Sequence, residues 1–151
     1  MRRYPQSALR RLIVSGSPGF TLIEMLVVLV IIGLIMGLVG PRVLNYLSDA
    51  RVKAAALQIQ ALSNSLDLYY LDSARYPSTS EGLAALVRRP GNLETWNGPY
   101  LKNGTVPADP WNNGYVYRSP AENAPYESLS YGSDGREGGT GSAADIKSSA
   151  R

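Results

Sequence analysis

From Phe20 to Val39 the chain is apolar at nearly every position, with Glu24 as the only charge. Coiled as a helix at about 1.5 Å per residue, the run spans roughly 30 Å, the depth of a bilayer's hydrocarbon core. Beyond Pro41 the pattern becomes one-sided. Val43, Leu47, Ala55, Ile59, Leu62, Leu66 and Tyr69 recur mostly at spacings of three, four or seven, while Arg42, Asp49, Arg51, Lys53, Gln58 and Asp67 occupy other faces. The two patterns predict one helix from Phe20 to Leu71. Residues 20–40 form its transmembrane half and 41–71 an amphipathic continuation, and Gly37, Gly40 and Pro41 give it a place to kink or melt locally.

The rest, residues 72–151, reads as a small α+β domain. Ser78-Thr79-Ser80-Glu81 fits a capping box and opens a short helix through Val87, ahead of Pro90. Residues 91–110 are rich in glycine, asparagine and proline and read as loop. Asn112-Asn113-Gly114 is a turn signal before a strand at Tyr115 to Arg118. A second strand runs from Glu127 to Tyr131, with Leu129 and Tyr131 alternating against Ser128 and Ser130. Residues 132–145 are glycine-rich and acidic, and form a loop.

Charge orients the span. Arg2, Arg3, Arg10 and Arg11 precede it without an acid, and removing residues 1–19 leaves eleven basic against twelve acidic residues. The basic character belongs to the leader, so no nucleic-acid partner is implied, and the N-terminus is placed in the cytoplasm with the remainder across the membrane. A secretory signal peptidase finds no suitable site, because cutting after Gly37 puts Ile35 at −3 and cutting after Gly40 puts Pro41 at +1. Histidine and cysteine are both absent. That removes serine–histidine triads, thiol nucleophiles, disulfides and nearly every zinc site, and points away from an enzyme.

A carboxylate within an apolar span costs about 2.5–3.5 kcal/mol on insertion scales, so Glu24 either has a partner or snorkels to water. Cutting between Gly19 and Phe20 would create an α-amino group near it, able to pair with Glu24 of a neighbouring helix. Gly19-Phe20-Thr21-Leu22-Ile23-Glu24-Met25-Leu26-Val27-Val28 resembles the class III signal of type IV pilins and type II secretion pseudopilins. The resemblance implies cytoplasmic cleavage after Gly19 by a prepilin peptidase and N-methylation of Phe20. It also implies that Glu24 guides subunit assembly and that Pro41 interrupts the helix. Arg75-Tyr76-Pro77-Ser78-Thr79-Ser80-Glu81-Gly82-Leu83 and Asp109-Pro110-Trp111 with Tyr115 to Pro120 are similar to stretches of the major pseudopilin family. Type IVa pilins usually close a C-terminal loop with a disulfide, which this chain cannot form.

The last constellation lies in residues 131–146. Calcium takes six to eight oxygens, and Asp134 and Asp145 can supply anionic ones from either end of a loop whose carbonyls and Ser142 add others. Read from the residues alone, such a loop is more often just a solvated surface turn. The family resemblance implies a calcium site here, with side-chain ligation by Asp134 and Asp145, backbone carbonyls of Tyr131 and Arg136 beside them, and Ser142 and Glu137 as further oxygen donors. Trp96, Trp111 and the tyrosines read as packing in a small domain, and Asp109 as a turn former.

The α+β pattern together with the resemblance implies a pilin-like fold, with a long N-terminal helix on a small antiparallel sheet and a C-terminal calcium loop. The function implied is that of a structural subunit of the type II secretion pseudopilus, supporting export of folded proteins. The partners implied are other copies of itself, minor pseudopilins, the prepilin peptidase and the inner-membrane assembly platform. The protein is expected to span the inner membrane once, with its C-terminal domain in the periplasm. Two rivals remain at this stage: another type IV-like pilin for adhesion, DNA uptake or motility, and a membrane-anchored calcium-binding module that never polymerises.

Overall fold

The computed structural model describes residues 19–91 and 93–148. The predicted leader, apart from Gly19, lies outside them. The chain divides at the Gly40–Pro41 bond into two compact units. Helix α1, Leu22–Ser73, runs from the first into the second.

In the first unit every apolar side chain of α1 is exposed, Leu22 at 84% and Leu34 at 71% among them. Among the described residues none covers this segment, and α1 is long and apolar enough to cross a membrane. The local melting expected around Pro41 is not seen, because residues on both sides are helical. A proline removes one helical hydrogen bond and crowds the carbonyl four residues back, at a cost of about 3 kcal/mol.

In the second unit Ala55, Ile59, Leu62, Leu66 and Tyr69 are buried along one stripe of α1. Val43 and Leu47, which share the sequence pattern, are exposed at 57% and 50%. Leu62, Leu66 and Tyr69 form the core with Leu83, Ala85, Leu86, Tyr117 and Tyr126. Much of that core is aromatic. Tyr69 meets Tyr100 edge-on at 5.6 Å, Tyr76 meets Tyr126 at 4.7 Å, and Trp96 meets Tyr100 at 5.8 Å. The Trp96 indole N–H donates to the Ala85 carbonyl at 2.8 Å, so its ring is a packing element.

The predicted capping box forms. Glu81 N–H donates to Ser78 Oγ at 3.3 Å, and Ser78 N–H donates to Glu81 Oε2 at 2.7 Å. The helix that follows is a short 3-10 turn, Gly82–Leu86. Arg75 grips both oxygens of Glu81, with Nη1 to Oε2 at 2.7 Å and Nη2 to Oε1 at 2.8 Å. These bonds, the arginine's foremost, lower the Glu81 pKa from 4.5 to about 2. Because the folded value lies below the ordinary one, the contribution is present above about pH 4.5 and lost as pH falls toward 2. Glu81→Gln should therefore cost about 1–2 kcal/mol at pH 7, a figure reduced by the pair's partial exposure, and nothing near pH 2. Urea unfolding of both proteins from pH 7 to 2 checks this: converging stabilities are expected, and parallel curves would contradict the assignment.

The sheet has three antiparallel strands in the order β1 (Val116–Arg118), β2 (Glu127–Ser130) and β3 (Ile146–Lys147). The register pairs Tyr117 with Ser128, Leu129 with both Val116 and Lys147, and Ser130 with Ile146. The predicted alternation along β2 fails, since Ser128, Leu129 and Ser130 are all buried. As the middle strand, β2 has a neighbour on each edge. Ser128 shares a face with Tyr117, whose ring belongs to the helix core, so a small polar residue is buried there beside a large aromatic one. Strand β3 was unpredicted.

Candidate functional site

Two regions carry candidate chemistry. At the start of α1, Thr21 and Glu24 form a reciprocal capping box. Glu24 N–H donates to Thr21 Oγ1 at 3.2 Å, and Glu24 Oε2 accepts from the Thr21 N–H at 3.0 Å and its hydroxyl at 3.2 Å. Thr21-Leu22-Ile23-Glu24 is a threonine-x-x-glutamate signature, a signal the apolar reading of this segment passed over. Glu24 therefore has an intramolecular partner within its own chain. The carboxylate stays exposed, at the end where the helix dipole favours negative charge.

The second region is the C-terminal loop. It opens with a turn at Gly132–Asp134 and bends again at Gly141–Ala143 before reaching β3. Asp134 Oδ1 accepts the Arg136 N–H at 3.1 Å, and Asp145 Oδ1 accepts the Gly138 N–H at 3.0 Å. Ser133 and Ser142 hydroxyls lie 3.3 Å apart. Each aspartate thus fixes its own stretch of loop through one oxygen.

Glycine is required where the loop folds back on itself. Gly132 has φ +66°, and a Cβ there would lie 2.6 Å from the Ser142 carbonyl oxygen and 2.9 Å from that of Ala144. Gly139 has φ +87°, with the Ala143 carbonyl oxygen 2.4 Å from the place of a Cβ. Backbone carbonyls of Ser142, Ala143 and Ala144 pack against Gly132 and Gly139, and Asp134, Asp145 and the Ser142 hydroxyl lie on the same loop, oxygens of the type a hard cation takes. Among the described residues no three Asp or Glu side chains converge, so any ion here would depend on carbonyls as well as on Asp134 and Asp145. Tyr131 and Gly135 flank the first turn, and Arg136 follows it.

Asp109 has a larger role than turn former. It is buried, and its Oδ1 accepts the Trp111 and Asn113 N–H groups at 3.0 and 2.7 Å while Oδ2 accepts the Ser130 hydroxyl at 2.6 Å. Tyr115, beside it, hydrogen-bonds Gln58 of α1, and burial first and the Asp109 charge second push its phenol up to about 12.

The comparisons with known proteins fall on both regions. The family model described as type II secretion system (T2SS), protein G matches residues 42–149. The chain belongs to the type II secretion system protein G family. A second model, the prokaryotic N-terminal methylation motif, matches residues 15–40, the segment holding Gly19, Phe20 and Glu24. The type II secretion system core protein G of Pseudomonas aeruginosa is 46% identical over 132 residues, covering 85% of this chain and 92% of that protein. Its Vibrio cholerae counterpart is 44% identical over 131 residues, covering 85% and 88%. The crystal structure of the major pseudopilin from the type 2 secretion system of enterohaemorrhagic Escherichia coli matches with a TM-score of 0.55 and 32% identity, over 66% of this chain and 86% of that one. This protein G family member is a structural pseudopilin of type II secretion, with an apolar N-terminal helix and methylation motif consistent with membrane anchoring.

Proposed function

We propose that this pseudopilin is cleaved between Gly19 and Phe20, methylated on Phe20, and polymerised through its apolar helix into a periplasmic filament that drives folded proteins across the outer membrane. The observation that carries the reading is the bare apolar half of α1, led by Glu24 and covered by the methylation motif. That surface needs a nonaqueous surrounding at every stage. In the inner membrane lipid supplies it, and in a filament the same helices of neighbouring copies supply it. Removal of the leader frees an ammonium at Phe20. In a low-dielectric bundle, attraction between that ammonium and Glu24 of the next copy is far stronger than in water, which fixes the axial offset between subunits. A prepilin peptidase, an inner-membrane assembly platform and minor pseudopilins are the partners this scheme requires.

For the C-terminal loop the proposed ligand is calcium, held by Asp134 and Asp145 with carbonyls of Tyr131 and Arg136 and with Ser142 and Glu137 as lesser donors. When bound, calcium would supply positive charge that offsets the Asp134 and Asp145 carboxylates. By mass action it stabilises the folded domain. The chain's own part is to bring these oxygens together through the glycine turns.

Deleting the gene in its native host should leave type II cargo in the periplasm, with release restored by the wild-type gene. Undiminished release from the deletion strain would contradict the proposal.

A further inference from the structure

We infer that Asp109, acting through Ser130, is a positioning residue for the C-terminal loop and sets its capacity to hold a divalent cation. The inference rests on the calcium reading above and deepens it. The turn containing Asp109 closes without Oδ2. Its Oδ1 takes the Trp111 and Asn113 N–H groups, the Asp109 N–H donates to the Asn113 carbonyl at 2.8 Å, and the Asn112 N–H donates to the Asp109 carbonyl at 2.9 Å. Oδ2 is left to reach across to β2. There it accepts the Ser130 hydroxyl at 2.6 Å, and Ser130 Oγ in turn accepts the Gly132 N–H at 3.2 Å. From the same turn, the Asn113 side-chain amide donates to the Gly132 carbonyl at 3.3 Å. The Gly132 carbonyl is therefore held directly by the Asp109–Asn113 turn, and its N–H is held through Ser130, which Asp109 fixes.

Gly132 is also the residue against which the carbonyls of Ser142 and Ala144 pack. Fixing Gly132 fixes the surface on which the far side of the oxygen loop rests. The chemistry calls for a carboxylate. Ser130 has one proton, which goes to Oδ2 and leaves a lone pair for the Gly132 N–H. An amide nitrogen in place of Oδ2 would present a second donor to Ser130, whose own proton would then need another acceptor at a fully buried position. A charge-assisted O–H···O⁻ bond is also short and directional, as the 2.6 Å contact is.

The test uses the full chain in detergent, stripped with a chelator. Calcium dissociation constants are measured by titration calorimetry, and melting temperatures in calcium and in chelator. Ser130→Ala cuts the link while leaving the Asp109 turn closed, and is expected to weaken calcium binding by about tenfold or more. Asp109→Asn in the Ser130→Ala background should weaken it little further, because both act through one chain of bonds. Should Ser130→Ala fail to fold, Asp109→Asn alone carries the test, since its amide oxygen can still accept the Trp111 and Asn113 N–H groups while the acceptor for the Ser130 hydroxyl is lost. Dissociation constants within twofold of wild type, with melting temperatures lowered equally in calcium and chelator, would make the network a fold element and overturn the inference. Wild type and Asp134→Ala both indifferent to calcium would overturn the calcium reading itself, and this inference with it.

Discussion

Glu24→Ala should insert into the membrane as the wild type does and yet yield no filaments. Insertion is carried by the apolar span, whose exposed side chains the substitution leaves alone. Assembly, in the account above, needs the carboxylate. Because Glu24 also caps α1 through Thr21, alanine removes a cap and a charge together, and a second variant has to separate them. Glutamine serves equally well in a capping box but carries no charge. Glu24→Gln should therefore keep the helix start intact and still fail to assemble. Sheared-filament yield and membrane-fraction content, measured side by side, give the readout. Normal filaments from Glu24→Gln would assign Glu24 to capping alone and remove charge pairing from the mechanism.

The second large effect is expected at the C-terminal loop. A ligand at a hundredfold excess over its dissociation constant stabilises the folded state by about 2.7 kcal/mol, roughly 10–20 °C in the melting temperature of a domain near 100 residues. Asp134→Ala removes one of the two aspartate donors and should abolish most of that calcium-dependent rise. In chelator the two proteins should melt close together, since Asp134 is exposed and its hydrogen bond to the Arg136 N–H closes only a local turn. A calcium-dependent rise as large in the variant as in wild type would move the metal elsewhere.

The helix was legible because its pattern is long and changes character at one point, from apolar on all sides to a single stripe ending at Tyr69. Strands β1 and β2 were legible from a turn signal and runs of tyrosine, valine and leucine. Strand β3 was not. It is two residues long and owes its existence to pairing with Leu129 and Ser130, across a loop that has no strand pattern of its own. The burial of Ser128 and Ser130 was equally hidden, since a serine shows no hydrophobic periodicity, and its place depends on Tyr117 and Asp109 arriving from elsewhere. Pro41 illustrates the converse: a residue that disfavours a helix interior has helical residues on either side.

At the candidate sites the residue types were readable and their wiring was not. Asp134 and Asp145 stood out as the acids of a glycine loop, but the crowding of Gly132 by the Ser142 and Ala144 carbonyls is a consequence of tertiary folding. Asp109 was visible only as a turn residue, because the bond that joins it to the loop runs through Ser130 on another strand. Glu24 read as a lone charge in an apolar run. Its cap on Thr21 was written in the three-residue spacing and masked by the hydrophobicity around it.

The central claim is that this chain works as a processed, pilin-like subunit, and the most direct measurement is the intact mass and N-terminal residue of the protein extracted from its native membrane. The account predicts a chain that begins at Phe20 and carries one methyl group on its α-amino nitrogen. A chain that keeps Met1 and residues 2–19 in cells with an active prepilin peptidase would contradict it, and would leave a membrane anchor that never enters a filament.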